Sequence, residues 1–437
     1  MSIFRFRGGV HPNDKKQQTE HQAIEKLAMP KMLYIPVLQH IGSPLESLVN
    51  VGDKVLKGEK IAESSAFLVS PIHAPTSGII KKIENHYFTL MGEMNTIFLE
   101  PDGEDKWCEL FPIADWKKAT KDELLKQIKN CGVVGLGGAS FPTQIKLDPP
   151  LDVKIDTLLL NGAECEPYLT SDNRVMLEKT SQMIEGIQIL KKILNVENVI
   201  IGIEDNKKEA IAKLKEAILE TGIDIKVLKT LYPQGGEKQL IKATLNREVP
   251  SGKLPMSVGV VVQNTTTAVA IYEAVVNGTP IIDKVVTVAG NAVKAPKNIQ
   301  ALIGTPISEL LDAGSTNREE IDKLIVGGPM MGMAQHTELV PVVKGTSGVL
   351  GLTLSETNHC KSRACIGCGK CIEVCPMGLT PIMYPRIAEN ESWEEMKTYN
   401  LMDCIECGCC SYICPSNRPL TESIKLGKTK LREMMCK

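Results

Sequence analysis

No apolar run in this sequence approaches the ~20 residues that a helix needs to cross a bilayer. The longest, such as "VGVVV", read as buried strands. The chain also lacks a charge excess: its formal net charge is −2, with no basic stripe, which argues against a nucleic-acid partner. The N-terminus "MSIFRFRGGVHP" has no apolar h-region, so no secretory signal is expected. Together these absences predict a chain that stays in the cytoplasm, with no direct membrane span, and meets a membrane only through a partner.

What is present is a chain of 437 residues, 43% hydrophobic and 23% charged, the balance of a globular protein of about three domains. Fourteen cysteines stand out. In a chain this long without a signal, metal ligation is a better reading than a disulfide framework.

The cysteines concentrate in an internal repeat. "CIGCGKCIEVCP" begins at Cys365 and "CIECGCCSYICP" at Cys404, and each reads C-x2-C-x2-C-x3-C-P. That is the spacing of two-cluster bacterial-type ferredoxins, in which the fourth cysteine of each run ligates the other cluster. The expected ligand sets are therefore Cys365, Cys368, Cys371 and Cys414 for one [4Fe–4S] cluster, and Cys404, Cys407, Cys410 and Cys375 for the other. Zinc sites draw four ligands from separated pairs, and two identical tetrads fit that poorly. Cys108, Cys131, Cys165, Cys360, Cys409 and Cys436 fall outside the pattern and read as reduced bystanders.

Ahead of the repeat, residues 1–110 alternate apolar and polar positions around turn signals ("VGDKVLKGEKIAE", "SPIHAPTSGIIKKIE"), as a small β module does. This part resembles the biotinyl/lipoyl barrel-sandwich. The stretch "SSAFLV" between its halves carries no lysine, which favours a structural or docking module over a swinging arm. His11 and His73 read as structural. Residues 111–278 alternate helices and strands. Lys121–Asn130 has a helical pattern, "NVIIGIED" reads as a buried strand, and "NKKEAIAKLKEAILETG" as an amphipathic helix with Asn206 as N-cap and Gly222 past its end. "DTLLLNGAECEP" and "VGVVVQNTTTAVAIYEAV" read as strands that stop at an asparagine and open into polar loops, where α/β sheets collect ligands. A β-rich stretch, 279–350, separates this region from the cysteine-rich 351–437.

"CGVVGLGGASFP", Cys131–Pro142, packs four glycines into seven residues yet lacks the Gly-Lys-Ser/Thr of a P-loop. Ser140 stands where a dinucleotide fingerprint needs Gly or Ala, and a helix rather than a strand precedes the loop. With Lys146 it resembles the flavin-nucleotide loop of the NADH-oxidising subunit of respiratory complex I, G-R-G-G-A-G-F-P-x-x-x-K. "NGAECEP" is similar to that subunit's N-A-D-E-S-E-P, "YPQGGEKQ" more loosely to Y-x-C-G-E-E, and "VQNTTT" to N-N-x-E-T, all in the same order. "FRGGVHP", "IPVLQHIGSP", "HAPTSG" and the doubled cysteine tail resemble the RnfC component of the Rnf complex, the ferredoxin:NAD oxidoreductase of bacterial membranes. The resemblance covers essentially the whole chain.

It implies four domains: a barrel-sandwich-like module, a Rossmann-like FMN/NAD(H) α/β domain, a small β-grasp-like soluble-ligand-binding domain, and a two-cluster ferredoxin-like α+β domain. It implies non-covalent FMN, cradled by Gly135, Gly137, Gly138, Ala139 and Ser140 with Lys146 adding charge, and NAD(H) stacked near Phe141. Asn161, Asn264 and Thr265 would face the flavin. Glu164 and Glu166 would meet ribose hydroxyls or the nicotinamide amide, and Gly236 and Glu237 would line the cleft. Two positions depart from the respiratory pattern: Leu136 replaces its arginine, removing a charge near the phosphate, and Lys238 replaces the second glutamate of its pair. No catalytic acid is expected, because a flavin converts between paired and single electrons. The implied partners are the ferredoxin-like B subunit and the A, D, E and G membrane subunits, at the cytoplasmic face of the cell membrane. The architecture also resembles a microcompartment cobalamin reductase using the same cofactors, a reading that the long N-terminal match opposes. An electron-transfer docking subunit with a vestigial flavin fold is the third reading.

Overall fold

A computed structural model describes residues 5–89 and 92–435, so Cys436 lies outside the described residues. The first module is two small antiparallel sheets. One orders its strands Leu33–Pro36, Gly92–Pro101, Gly78–Phe88, Lys54–Val55, and the other Glu46–Ser47, Lys60–Glu63, Ile72–His73. Alternate residues point inward, so Leu33, Ile35, Ile61, Ile80, Ile97 and Leu99 are fully buried between the sheets. Each such side chain contributes about 1.5–3 kcal/mol. The connection from Glu63 to Ile72 leaves Phe67 exposed at its tip. His73 is buried and held neutral, its pKa driven down to about 3 by desolvation and by nearby Lys344, whereas His11 is exposed.

The residues before this module do not join its sheets. Gly9 donates its N–H to the Val374 carbonyl, Val10 bridges Tyr232, and Ile24–Lys26 adds a parallel edge strand beside Lys297–Leu302. A single N-terminal segment thus touches the cluster region, the α/β region and the sheet between them.

The α/β region is built on a four-stranded parallel sheet in the order Ile223–Leu228, Asn198–Glu204, Thr157–Gly162, Val260–Asn264. Three strands, Asn198–Glu204, Thr157–Gly162 and Val260–Asn264, carry continuous apolar runs because both faces are covered, whereas the edge strand Ile223–Leu228 alternates with Asp224 and Lys226. Thr180–Leu194 and Thr265–Val276 pack on one face, and Glu237–Leu245 on the other. The central strand, Thr157–Gly162, comes first in the chain. The next two strands extend the sheet to one side and the fourth lies on the other, so the winding reverses between Thr157–Gly162 and Val260–Asn264. Ligands of doubly wound sheets collect at that reversal.

Two local expectations are corrected. The amphipathic helix runs Lys208–Ala217 and Asn206 does not cap it; Asn206 Oδ1 instead accepts from Lys207 Nζ at 3.2 Å. Gly222, with φ +71°, lies past the helix end as expected, after a further turn. The residues after Asn264 do not form a polar loop: they are the first turn of Thr265–Val276, and Asn264 is its N-cap.

Residues 283–352 form a mixed sheet whose strand order, including the N-terminal edge strand, is Ile24–Lys26, Lys297–Leu302, Asp283–Ala289, Gly348–Leu352, Lys323–Val326, Met333–Gln335. The helix Ile307–Ala313 covers it with Ile307, Leu310 and Leu311. Beyond Leu352 the regular structure is helical, and among the described residues no strand follows. Lys370–Glu373 and Cys409–Tyr412 are equivalent short helices of the cysteine repeat, and Leu420–Met435 packs across them through buried Leu420, Ile424 and Leu431. No helix among the described residues is long and apolar enough to cross a membrane.

Candidate functional site

The glycine-rich loop leaves the core at Val133–Val134 and returns at Pro142, which bridges Val134. Gly135 N–H donates to the Phe141 carbonyl at 2.9 Å and closes the neck. Between these points the peptide nitrogens of Gly137, Gly138, Ala139, Ser140 and Phe141 have no acceptor among the described residues. Gly137, Gly138 and Ala139 are exposed, and Ser140 takes φ +52°. Exposed backbone donors can bond to water, but successive free N–H groups around a left-handed residue also make an anion-binding concavity. Phe141 is half-buried beside it. Leu136 points the other way, into the core, at 4% exposure. Its side chain is therefore a core residue, and its backbone is held from both sides: N–H to Thr267 Oγ1 at 2.9 Å, carbonyl from Lys284 Nζ at 2.7 Å.

The four motif segments meet at the carboxyl edge of the sheet. Asn161 and Asn264 are direct partners in the strand register. Gly137 is pressed against Asn264, where an added Cβ would lie 2.4 Å from Nδ2, so only glycine fits. Asn264 Oδ1 accepts from Thr266 and Thr267 N–H, and its Nδ2 donates to Asp172 at 2.6 Å. Asn161 Nδ2 donates to the Gly235 carbonyl at 2.8 Å. Lys146 Nζ lies 2.7 Å from Glu237 Oε1, in the first turn after Gly236. Thr265 is fully buried, with its hydroxyl unpartnered.

The two acids of "NGAECEP" have protein partners. Glu164 is buried and accepts from Ser171 Oγ and from the N–H groups of Asp172 and Asn173, so it caps the helix Ser171–Glu178. Glu166 accepts from the N–H groups of Met330 and Met331 at 3.1 and 3.0 Å and from the Tyr232 hydroxyl at 3.5 Å. Burial pushes the Glu166 carboxyl up to about 7, against the pull of those amides. Lys16, from the N-terminal segment, donates to the Glu166 carbonyl at 2.8 Å.

The cysteines gather as the repeat predicts. Cys375, Cys404, Cys407 and Cys410 line one cavity, and Cys365, Cys368, Cys371 and Cys414 line another. Each tetrad lines its own cavity, and it is the doubled C-x2-C-x2-C-x3-C-P spacing that favours a cubane over zinc. The halves repeat in detail. Cys365 and Cys404 each accept an N–H two residues on, from Gly367 and Glu406, and Cys375 and Cys414 each accept one four residues on, from Leu379 and Arg418. Glu406 takes the left-handed φ of +57° that Gly367 takes in the first repeat, and Lys428 holds its carboxylate at 2.8 Å. The surroundings of the two tetrads differ. Tyr232 donates to the Cys407 carbonyl at 2.8 Å and Gln239 to that of Pro376 at 3.4 Å, which seats one tetrad on the flavin motifs. Cys365, Ile366 and Cys368 are exposed. The remaining described cysteines are free thiols.

Comparison with known proteins agrees segment by segment. Residues 4–104 match the RnfC barrel sandwich hybrid domain, 128–273 the Nuo51 FMN-binding domain, 285–334 the SLBB domain and 364–418 the 4Fe-4S dicluster domain. The C subunit of the proton-translocating ferredoxin:NAD(+) oxidoreductase complex of Clostridium ljungdahlii is 47% identical over 98% of this chain and 94% of its own length. The chain belongs to the RnfC family. The C subunit of the Na(+)-translocating complex of Acetobacterium woodii is 40% identical over 98% of this chain and 97% of its own. An NAD+-reducing [NiFe]-hydrogenase in its H2-reduced state shares the fold at a TM-score of 0.51 and 17% identity, over 74% of this chain and 63% of that one. As members of this family do, the chain carries an FMN domain and a two-cluster domain, and its donor loop and cysteine cavities fit those groups.

Sequence reasoning did not single out the inner partners of the site: buried Lys284, Thr267, Lys16 and Tyr232, and part-buried Asp172. Tyr232 and Thr267 lie inside the quoted "YPQGGEKQ" and "VQNTTT", and Lys284 stands out as a lone cation in the apolar strand "DKVVTVA".

Proposed function

We propose that this chain is the NAD(H)-reacting subunit of an ion-translocating ferredoxin:NAD oxidoreductase, peripheral to the cytoplasmic face of the membrane. Its working regions are 1–110, 111–278, 279–350 and 351–437, and its partners are the B, A, D, E and G subunits. Bound FMN supplies the conversion between hydride transfer with NAD(H) and single electrons, and the clusters supply a one-electron relay. The observation that carries the reading is the five-residue run of free backbone donors at the sheet's winding reversal, with one cysteine tetrad held by Tyr232 and Gln239 of the neighbouring motif.

The residues bind and orient. Gly137 to Phe141 offer N–H groups to the phosphate, and Lys146 adds charge. Asn161 and Asn264 fix the carboxyl edge on which the flavin ring would lie, and Gly236 begins the helix across the cleft. Glu164 and Glu166 act by holding neighbouring elements: the first sets the helix that carries Asp172, and the second ties the 328–331 turn to the flavin side. Phe141 stands where a nicotinamide or adenine would stack. Cys375, Cys404, Cys407 and Cys410 hold the inner cluster. Cys365, Cys368, Cys371 and Cys414 hold the outer one, whose exposed rim is where a redox partner can reach it.

Anaerobic purification with iron, sulfide and flavin analysis, then NADH titration, tests the reading. It expects one FMN and about eight iron atoms per chain, with the flavin bleached by stoichiometric NADH. A flavin-free protein, or about four irons, refutes it, and a flavin inert to NADH leaves only the docking reading. The cobalamin-reductase reading has no support in the family assignment.

A further inference from the structure

Lys284 is the least expected residue near the flavin loop. It lies on the strand Asp283–Ala289 of the mixed sheet, yet its side chain crosses to the α/β region and is 3% exposed. Its Nζ donates to the Leu136 carbonyl at 2.7 Å, from beneath the loop. The same residue's N–H is held by Thr267 Oγ1 at 2.9 Å, so the backbone at Leu136 cannot rotate freely. A trans peptide places its carbonyl and the following N–H on opposite edges. Gripping the Leu136 oxygen from inside therefore aims the Gly137 N–H outward, towards the exposed face of the loop, where it has no protein acceptor. A cation on the carbonyl also polarises the peptide and makes that N–H a stronger donor. Burial pushes the Lys284 amine down, while the carboxylates of Asp172 and Glu164 pull it back towards the charged form.

We propose that Lys284 is a positioning residue for the phosphate of FMN, acting through the Leu136–Gly137 peptide. The proposal rests on the reading of residues 135–141 as the FMN phosphate loop. It makes the region 279–350 part of the cofactor site, although nothing from that region need touch the flavin.

The test separates phosphate from ring. The full-length chain is stripped of flavin, and FMN and riboflavin are titrated by fluorescence quenching against wild type and Lys284→Met, which keeps the length and loses the charge. A charge-assisted contact of this kind predicts FMN affinity lower by about ten- to hundred-fold. Riboflavin, lacking phosphate, should change by less than about two-fold. Equal losses for both ligands would mean a merely structural lysine and overturn the proposal, as would no loss for either. Lys284→Gln, neutral but still a donor, should give an intermediate FMN-to-riboflavin ratio, and it carries the same comparison if the methionine variant does not fold. A wild-type chain with no preference for FMN over riboflavin would refute the phosphate loop itself, which is a different failure.

Discussion

Replacing Gly137 by alanine adds one methyl group to a loop that has no room to yield. The new Cβ would lie 2.4 Å from Asn264 Nδ2, 2.7 Å from its Cγ and 2.9 Å from its Cβ. Gly137 does not have positive φ, so the cost is contact and not backbone strain. The loop cannot retreat, because Leu136 is pinned by Thr267 and Lys284. Asn264 must move, and it then loses its cap on Thr265–Val276, worth about 0.5–2 kcal/mol, and its bond to the Asp172 carboxylate, worth about 1.5–3 kcal/mol. The sum is about 2–5 kcal/mol. For a unit of ~150–250 residues each kcal/mol moves the melting temperature about 2–4 °C, so the drop should be on the order of ten degrees. Gly138→Ala is the control: no atom lies within 4 Å of its added Cβ, and stability should hold within about 0.5 kcal/mol. Circular-dichroism melts and flavin content of both variants check this. A Gly137→Ala protein that melts with wild type and keeps its flavin would refute the account of this contact.

Lys146→Met should leave the melting temperature nearly unchanged, because the part-exposed Lys146–Glu237 pair contributes at most about 1 kcal/mol. It should weaken FMN roughly ten-fold in equilibrium titration. Lys344 is fully buried, donates to the carbonyls of Pro71 and Gly132 at 2.7 Å each, and is pushed by desolvation down to about 7. Its folded pKa lies below the unfolded value, so wild-type stability should rise with pH from about 7 to about 10.5. Lys344→Met should flatten that rise in denaturant melts and cost a further ~1–3 kcal/mol for each carbonyl left unpaired. Cys414→Ala should remove the outer cluster although Cys414 lies in the second repeat: iron falls from about eight to about four per chain, while NADH still bleaches the flavin. Loss of the inner cluster instead, read from which electron paramagnetic resonance signal vanishes, would contradict crossed ligation.

The parts legible in the sequence are those where chemistry constrains spacing. A cubane accepts cysteines only at certain separations, so the tetrads could be written down from Cys365 to Cys414 without knowing the fold. The glycine loop reads as a phosphate loop only in company, because a donor concavity needs small residues and these also make ordinary turns. What failed was decided by distant partners. Thr265–Val276 is rich in β-branched residues, and burial against the sheet overrides their weak helix propensity; the cap signal of Asn264 was present and went unread. Asn206 lost its cap role to a lysine neighbour that ion-pairs with Glu204 inside the protein. Glu164 and Glu166, read from the resemblance as meeting the nucleotide, are held by groups of the protein itself. Their protein partners, Ser171 and Met330, could not be paired with them from sequence.

The N-terminal strap has a consequence for how the chain is assembled. Residues 9 to 26 are synthesised well before some of their anchors: Gly9 waits for Val374, and Thr19 waits for Asn298, 279 positions on. At ~5–20 residues per second the delay is on the order of twenty to seventy seconds. Its Gly9–Val374 bond ends one residue from Cys375, so that anchor can form only once the first cysteine repeat is nearly synthesised. An early piece of the polypeptide thus takes one of its anchors from the backbone beside a cluster ligand.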